Sequence, residues 1–161
     1  YYWHKEEAEH QIQQQMFRAQ MDIAREEKLP FMIHSREAAE DTLNIVREYM
    51  QSGMYGGIIH CFSYSKEIAA EYLKMGLYLG IGGVVTFKNA RKLKEAVEYA
   101  PLSQLVLETD SPYLAPEPNR GKRNSSLNLP YVARAIADLK GITVEEVIDV
   151  TKQNAEKLLG I

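Results

Sequence analysis

The sequence predicts an α/β fold in which parallel strands carry helices on their outer side. Short apolar runs alternate with longer amphipathic segments along the chain, at about 25 residues per unit, which is typical of βαβ construction. Three of the four apolar runs lead into a His or an Asp, the residue types expected where the loops of a parallel sheet converge. The chain has 161 residues, which is one domain's worth.

The composition is that of an ordinary globular protein. Apolar residues make up 45% and charged residues 25%, which excludes a disordered chain, a collagen-like chain and a coiled-coil filament. No apolar run approaches the roughly 18 residues of a membrane helix. A single cysteine allows no intrachain disulfide, so we expect a cytoplasmic protein. The first residue is Tyr1, so we expect the chain to start inside a longer reading frame.

The first unit is a helix followed by a strand. The range 5–28 predicts a helix that Pro30 closes, because four apolar residues lie on one 3.6-residue stripe: Ile12, Met16, Ala19 and Ile23. Phe31–Ile33 is an apolar run of the kind that a buried strand shows, and it ends at His34.

Two further units follow the same pattern. A helix over 37–51 ends before Gly53, and a strand over 56–59 leads to His60. A helix over 65–75 stops at Gly76, and the third strand spans 77–81. The helix after that begins near Asn89 and ends before Pro101.

The last part of the chain contains the fourth strand, a long loop and two helices. The strand is Leu105–Leu107, and the loop runs from Ser111 to Asn128. A helix begins at Leu129 and ends at Gly141, and Thr143–Glu146 is a capping box that starts another helix. A last helical turn or two holds Ala155, Leu158 and Leu159.

Four strands do not close a barrel. A barrel of eight strand–helix units typically needs about 250 residues. The sheet is therefore either an open sheet of four strands or part of a barrel whose front strands lie outside this chain.

His34, His60 and Asp110 are the strongest candidates for chemistry. Both histidines follow apolar strands that we expect to be neighbours, and Asp110 follows the fourth strand. Two imidazoles and a carboxylate would suit a divalent metal ion. The alternative is a pair of hydrogen-bonded histidines at strand ends without a metal.

Glu108 and Asp110 lie two residues apart at a strand end, so their side chains face the same way. They could share a metal or divide the roles of ligand and base. The alternative is that Asp110 opens the Ser111–Pro112 turn while Glu108 pairs with an arginine.

The loop Asn119–Asn124 carries three cations around one glycine. Such a loop could hold a phosphate backbone, which matters in a chain whose net charge is −3. Its cations are Arg120, Lys122 and Arg123. A second group of cations, between Lys88 and Lys94, is interpreted as the solvated face of a helix.

Three other features have simpler interpretations. Gly80–Gly83 lacks the spacing of a dinucleotide fingerprint and predicts a close backbone approach. Cys61 is interpreted as an inert buried thiol. Tyr1–Trp3 is interpreted as an aromatic packing cluster, and His4 and His10 lie on different helix faces, poorly placed to share a metal.

Five motifs together resemble the TatD-type metal-dependent deoxyribonucleases of the amidohydrolase superfamily. They occur in order over essentially the whole chain: Leu29–Arg36 (LPFMIHSR), Ile59–Ser63 (IHCFS), Tyr78–Gly83 (YLGIGG), Leu107–Leu114 (LETDSPYL) and Asn119–Asn124 (NRGKRN). The resemblance implies a (β/α)8 TIM barrel, of which this chain supplies only the carboxyl-terminal half. It also implies hydrolysis of phosphodiester bonds in DNA.

The resemblance implies a role for each matching residue. His34 and His60 correspond to the two histidine ligands of one divalent ion (Mg, Mn or Zn). Asp110 corresponds to the carboxylate on a second ion, where it orients or deprotonates the attacking water. Arg36, Ser63 and the loop with Arg120, Lys122 and Arg123 correspond to the substrate side.

Two departures from the family pattern concern the metal ligands and the substrate loop. Family members begin with a strand ending in His-x-His and carry a bridging Glu, and this chain has no His-x-His. We therefore interpret residues 1–161 as one partial TatD-like domain and expect weak metal binding and little turnover. Ser125 and Ser126 stand where the family tends to have Glu-Pro, so the substrate loop is expected to differ in shape.

Two other functions remain open at this stage. The chain could be an amide or ester hydrolase of the same superfamily, or a non-catalytic remnant that binds nucleic acid or a partner through the basic loop. An incomplete sheet also exposes strand edges, so we expect self-association. No membrane contact is expected.

Overall fold

The computed structural model describes residues 1 and 6–161. The interpretations of Tyr2, Trp3 and His4 lie outside the described residues. Helices and strands follow in the order α1 (Glu7–Glu26), β1 (Phe31–His34), α2 (Ala39–Gln51), β2 (Gly57–His60), α3 (Lys66–Lys74), β3 (Tyr78–Ile81), α4 (Arg91–Tyr99), β4 (Leu105–Leu107), α5 (Leu129–Lys140) and α6 (Val144–Leu159).

The four strands form one parallel sheet in the order β1-β2-β3-β4. This order confirms the predicted α/β class and the expectation that consecutive strands are neighbours. His34 is the register partner of His60, so the two histidines lie side by side where β1 and β2 end. The sheet thus brings the ends of all four strands to one edge, which is where the loops converge.

The main core lies between the sheet and the helices. Side chains on one face of the strands pack against α2, α3, α4 and α5, because alternate residues of a strand point to the same face. The fully buried members of this core include Val46, Tyr72, Leu79, Ile81, Leu105 and Ile136.

The opposite face of the sheet carries a much smaller apolar cluster. Ile58 on β2 and Val106 on β4 pack with Leu158 of α6, and all three are buried. His60 lies two residues after Ile58, and Glu108 lies two residues after Val106. The alternation of side chains therefore carries both polar residues onto this second face.

The start of α6 follows the predicted signal. The Thr143 hydroxyl oxygen accepts a hydrogen bond from the backbone N–H of Glu146 at 3.1 Å, and Gly160 ends the helix with a left-handed φ of +71°. The residues predicted as separate last turns belong to this one continuous helix.

The apolar stripe predicted on α1 does not form its buried face. Ile12, Met16 and Ile23 are more than half exposed, while the next stripe round the helix, with Phe17 and Met21, packs towards the core. Of this stripe, Met16 lines an open groove of about 580 Å³ between α1 and β1, together with Met32. Met32 is 63% exposed, since it points to the face of β1 opposite to the buried Phe31 and Ile33.

Among the residues described here, none of the helices combines the length and the apolar character that a transmembrane segment requires.

Candidate active site

His60 is held between two carboxylates at the open edge of the sheet. Its Nδ1 lies 2.7 Å from Oε2 of Glu108, and its Nε2 lies 3.2 Å from Oδ1 of Asp110. The second Glu108 oxygen accepts the backbone N–H of Cys61 at 2.8 Å. Glu108 thus fixes both the His60 ring and the peptide that follows it, and His60 presents its other nitrogen to Asp110.

Glu108 reaches His60 by crossing a strand. His60 ends β2 and Glu108 directly follows β4, two strands that lie about 9.6 Å apart at the usual spacing, with β3 between them. The residue of β3 beneath the Glu108 side chain is Gly80, and a Cβ there would overlap the carboxylate and press on Ile58. This geometry confirms the close backbone approach that Gly80–Gly83 predicts. The approach allows the Glu108 carboxylate to reach His60.

His34 completes the cluster on the side of β1. Its ring centroid lies 5.7 Å from that of His60, with the two rings tilted by 44°. The register of β1 and β2 produces this proximity, because the two residues end adjacent strands at the same level.

The backbone is strained at two positions beside this cluster. Cys61 and Asp110 have φ values of +49° and +53°, which non-glycine residues rarely adopt. The Asp110 loop is held by Asn124, whose amide donates to the carbonyl oxygens of Thr109 at 2.7 Å and Tyr113 at 2.8 Å. Such strain persists only where neighbouring contacts enforce it, and it concentrates at functional sites.

Burial sets the electrostatics of the cluster. Desolvation raises the pKa of Glu108, while the charge of His60 and its hydrogen bond oppose that rise. Desolvation also lowers the pKa of His34, and the neighbouring charge of His60 adds to this effect. The pKa of the Cys61 thiol rises to about 12, first through burial and then through Glu108, so Cys61 stays a neutral thiol.

The other predicted residues lie around this cluster at different positions. Arg36 follows His34 by two residues, just after β1, and its positive charge lowers the pKa of both His34 and Cys61. Ser63 instead lines a separate groove of about 490 Å³ with the start of α4, including Arg91. The structure therefore associates Arg36 with the histidines and Ser63 with a neighbouring surface.

The basic loop forms its own surface beside Asp110. The Arg120 guanidinium carbon lies 4.2 Å from the centre of the Phe87 ring, and its contact with Glu117 is a long 3.9 Å. Lys122 lines a groove together with Phe87 and Arg120, and Arg123 is exposed in the same loop.

The donor chemistry of the cluster suits a divalent cation, although the ligand set is not closed. His34 and His60 supply imidazoles, Asp110 supplies a carboxylate, and Glu108 supports His60 from behind, as carboxylates commonly do behind a metal-bound histidine. In the part of the chain that the structure describes, no three His, Cys, Asp or Glu side chains are grouped so that they could hold a metal. The residues present therefore fit one side of a cation site.

Two residues of the site have roles that the sequence alone did not reveal. The alternative in which Glu108 pairs with an arginine is wrong, because His60 is its partner. Asn124 acts as the internal support of the Asp110 loop and is only 3% exposed. Glu108 could have been sought from its place two residues beyond Val106, because Val106 is level with Gly80 of β3 and Glu108 faces the same side of the sheet as His60.

The family follows from the match over the whole chain. Residues 1–160 match the model of the family described as TatD related DNase. The chain belongs to this family. The TatD assignment agrees with the resemblance carried by the five motifs.

Curated TatD relatives share this part of their sequence with the chain. It is 47% identical over 161 residues to the uncharacterized metal-dependent hydrolase YabD of Bacillus subtilis (strain 168), covering 100% of this chain and 62% of the relative. It is 44% identical to YcfH of Escherichia coli (strain K12), covering 92% and 56%. A 32% identical relative from Rahnella sp. (strain Y9602), named 3'-5' ssDNA/RNA exonuclease TatD, is covered over 58% of its length. The chain thus spans little more than half the length of these relatives.

Solved structures of TatD proteins share the fold. The crystal structure of YJJV, a TatD homolog from Escherichia coli K12, superposes with a TM-score of 0.90 at 23% identity, covering 99% of this chain and 61% of that one. A TatD family hydrolase from Entamoeba histolytica superposes with a TM-score of 0.77 at 20% identity, covering 89% and 55%. These similarities establish the TatD barrel fold for the four strands and their helices.

Proposed function

We propose that this chain provides part of the active site of a metal-dependent phosphodiesterase that acts on DNA. The observation that carries the proposal is the buried arrangement of His60 between Glu108 and Asp110, in a chain of the TatD family. The family's description as DNases and the name of the Rahnella relative support a nucleic-acid substrate.

In this proposal His34, His60 and Asp110 hold divalent metal, with Mg, Mn and Zn as the candidate ions and two ions in the complete fold. Such ions supply an acidified water and neutralise charge on the phosphate oxygens. Glu108 keeps the His60 ring oriented through the bond to Nδ1, so that Nε2, which faces Asp110, would be the ligand atom.

The chain's own residues contribute further steps. Asp110 orients the attacking water and accepts its proton, since its carboxylate lies on the open side of His60. Arg36 neutralises a phosphate oxygen near the histidines, and the loop cations Arg120, Lys122 and Arg123 hold neighbouring phosphates. Ser63 contacts the substrate further from the histidines, from the groove beside α4.

We further propose that residues 1–161 form one partial TatD-like domain, the carboxyl-terminal half of the barrel. The support is the count of four strands together with the coverage of 62% and 56% of the relatives' lengths. The activity then depends on ligands that the rest of the barrel supplies. We propose a cytoplasmic location, because the single cysteine is consistent with a reducing compartment.

The test measures cleavage of labelled DNA with Mg, Mn or Zn, in this chain and in a chain extended at its amino end to the length of the relatives. Asp110→Asn and His60→Asn should abolish hydrolysis in the extended chain, while the exposed control Asp138→Asn should leave it unchanged. Cyclic amides and esters serve as competing substrates. Cleavage of these but not of DNA would assign the alternative hydrolase activity.

A second candidate function is nucleic-acid binding without catalysis. The observation that favours it is the open ligand set, since no three ligand side chains are grouped among the described residues. The extended chain separates the candidates: retention of DNA without hydrolysis under any of the three metals would support binding alone.

We also propose that this chain self-associates. The support is the open edge of β1 together with the groove between α1 and β1, where Met16 and Met32 expose apolar surface. Such surface is stabilised when a second molecule covers it.

A further inference from the structure

A groove beside Asp110 combines an exposed aromatic ring with two cations. It has a volume of about 310 Å³, and its lining includes Phe87, Tyr113, Arg120 and Lys122. The groove adjoins the candidate active site, because the backbone N–H of Tyr113 donates to the carbonyl oxygen of Asp110 at 2.9 Å. A nucleotide next to the reacting phosphate would lie within reach of it.

Tyr113 is the unusual residue of this groove. It is 70% exposed, yet it lies on a loop that the buried Asn124 amide holds through the carbonyl oxygens on both sides of Asp110. The loop also packs closely against the backbone at Gly83, where a Cβ would overlap the Leu114 carbonyl oxygen. The ring is therefore presented to solvent from a fixed backbone, which lowers the entropy cost of binding to it.

The charges of the groove suit a phosphate. Arg120 is already placed over the Phe87 ring, which restricts its guanidinium, and Lys122 lies in the same lining. The Glu117 carboxylate meets Arg120 only at 3.9 Å and in solvent. An exposed contact of that length contributes little, so a phosphate can replace it.

We propose that this groove is a subsite for one unpaired nucleotide, whose base stacks on Tyr113 and whose phosphate contacts Arg120 and Lys122. Flat bases stack on exposed aromatic rings regardless of sequence, and cations beside the ring hold the backbone. Bases inside a duplex already have both faces covered, so the subsite selects single-stranded nucleic acid. The inference rests on the proposed nucleic-acid substrate and adds the residue on which a base stacks.

The test measures binding of a short labelled oligodeoxythymidine to this chain by fluorescence anisotropy in EDTA, where no metal contributes. Tyr113→Ala should weaken binding about tenfold, the effect of losing one stacked base, and Tyr113→Phe should keep wild-type affinity. Tyr55→Ala removes a similarly exposed tyrosine elsewhere and should have no effect. Thermal unfolding checks that each variant is folded.

A second arm uses an oligonucleotide series with one abasic position. The abasic site that removes the stacked base should weaken binding to the wild type about tenfold and have no further effect on Tyr113→Ala. The subsite would be overturned by equal affinity of wild type and Tyr113→Ala, or by tighter binding of duplex than of single strand. It would also be overturned if the abasic position lowered the affinity of both proteins equally. These outcomes are independent of hydrolysis by the extended chain. Base-dependent binding by this chain, with no cleavage by the extended chain, retains the subsite and rejects the nuclease. Cleavage by the extended chain without base-dependent binding rejects the subsite and retains the nuclease.

Discussion

At the scale of single residues, Glu108 determines what His60 can do. A carboxylate bound to one ring nitrogen holds the imidazole in one orientation and makes the other nitrogen a better ligand. The same Glu108 satisfies the Cys61 N–H, so its loss would leave a partly buried donor unpaired.

Glu108→Gln therefore tests the positioning role. The amide keeps the size of the side chain but loses its charge, so metal affinity should fall about 10–100-fold, as for other supporting carboxylates. Isothermal titration with Zn or Mn measures the affinity, in the extended chain if this chain binds too weakly. Glu117→Gln removes an exposed carboxylate and is the matched control. Unchanged affinity in Glu108→Gln would show that the bond to His60 has no part in metal binding.

Tyr72 offers a prediction about stability at the same scale. Its ring is fully buried, and the described residues give its hydroxyl no hydrogen-bond partner. A buried unpaired hydroxyl costs about 1–3 kcal/mol, so Tyr72→Phe should raise the free energy of unfolding by about 1 kcal/mol. Tyr49→Phe is the control. The Tyr49 hydroxyl donates to the Arg18 carbonyl oxygen, so its removal should lower the free energy of unfolding. Urea denaturation gives both values, and a loss of stability in Tyr72→Phe would contradict the prediction.

At the scale of elements, β3 acts as the bridge between the two strands that carry the site. Strand β3 needs a residue without a side chain at Gly80, because the Glu108 carboxylate passes over this position to reach His60. Gly80→Ala should lower the free energy of unfolding by about 1–3 kcal/mol, the usual cost of overpacking. It should also weaken metal binding, because Glu108 is displaced.

A double-mutant cycle identifies the cause. In a Glu108→Ala background the carboxylate is gone, so Gly80→Ala should cost much less than in the wild type, apart from its contact with Ile58. Chemical denaturation of the four proteins measures the coupling. Equal costs in both backgrounds would mean that Gly80 is required for another reason.

The elements also show how far sequence reasoning reaches. Short-range signals predicted the four strands and the Thr143 cap, because residues close in sequence determine both. Parallel pairing in sequence order followed from βαβ connectivity. The buried face of α1 was predicted wrongly, since the packing of neighbours decides between its two apolar stripes. The partner of Glu108 was missed for a similar reason: it lies 48 residues away across another strand.

At the scale of the whole molecule, the two edges of the sheet differ in how neighbouring elements cover them. Next to β4, the Asn154 side chain donates to the Leu102 and Leu105 carbonyl oxygens, both at 2.8 Å, which covers that side with α6. At β1, the groove leaves apolar surface of Met16 and Met32 in solvent. The asymmetry predicts that association with another copy uses the β1 side.

Met32→Lys tests this prediction. Lysine on an edge strand disfavours pairing with another chain, and the exposed position accommodates the charge in the monomer. We expect the wild type to sediment as a dimer or larger species and Met32→Lys to shift towards monomer in sedimentation velocity. Leu127→Lys adds the same charge at an exposed leucine in the distant loop and should sediment like the wild type. A monomeric wild type, or two variants that behave alike, would remove the β1 side as the site of association.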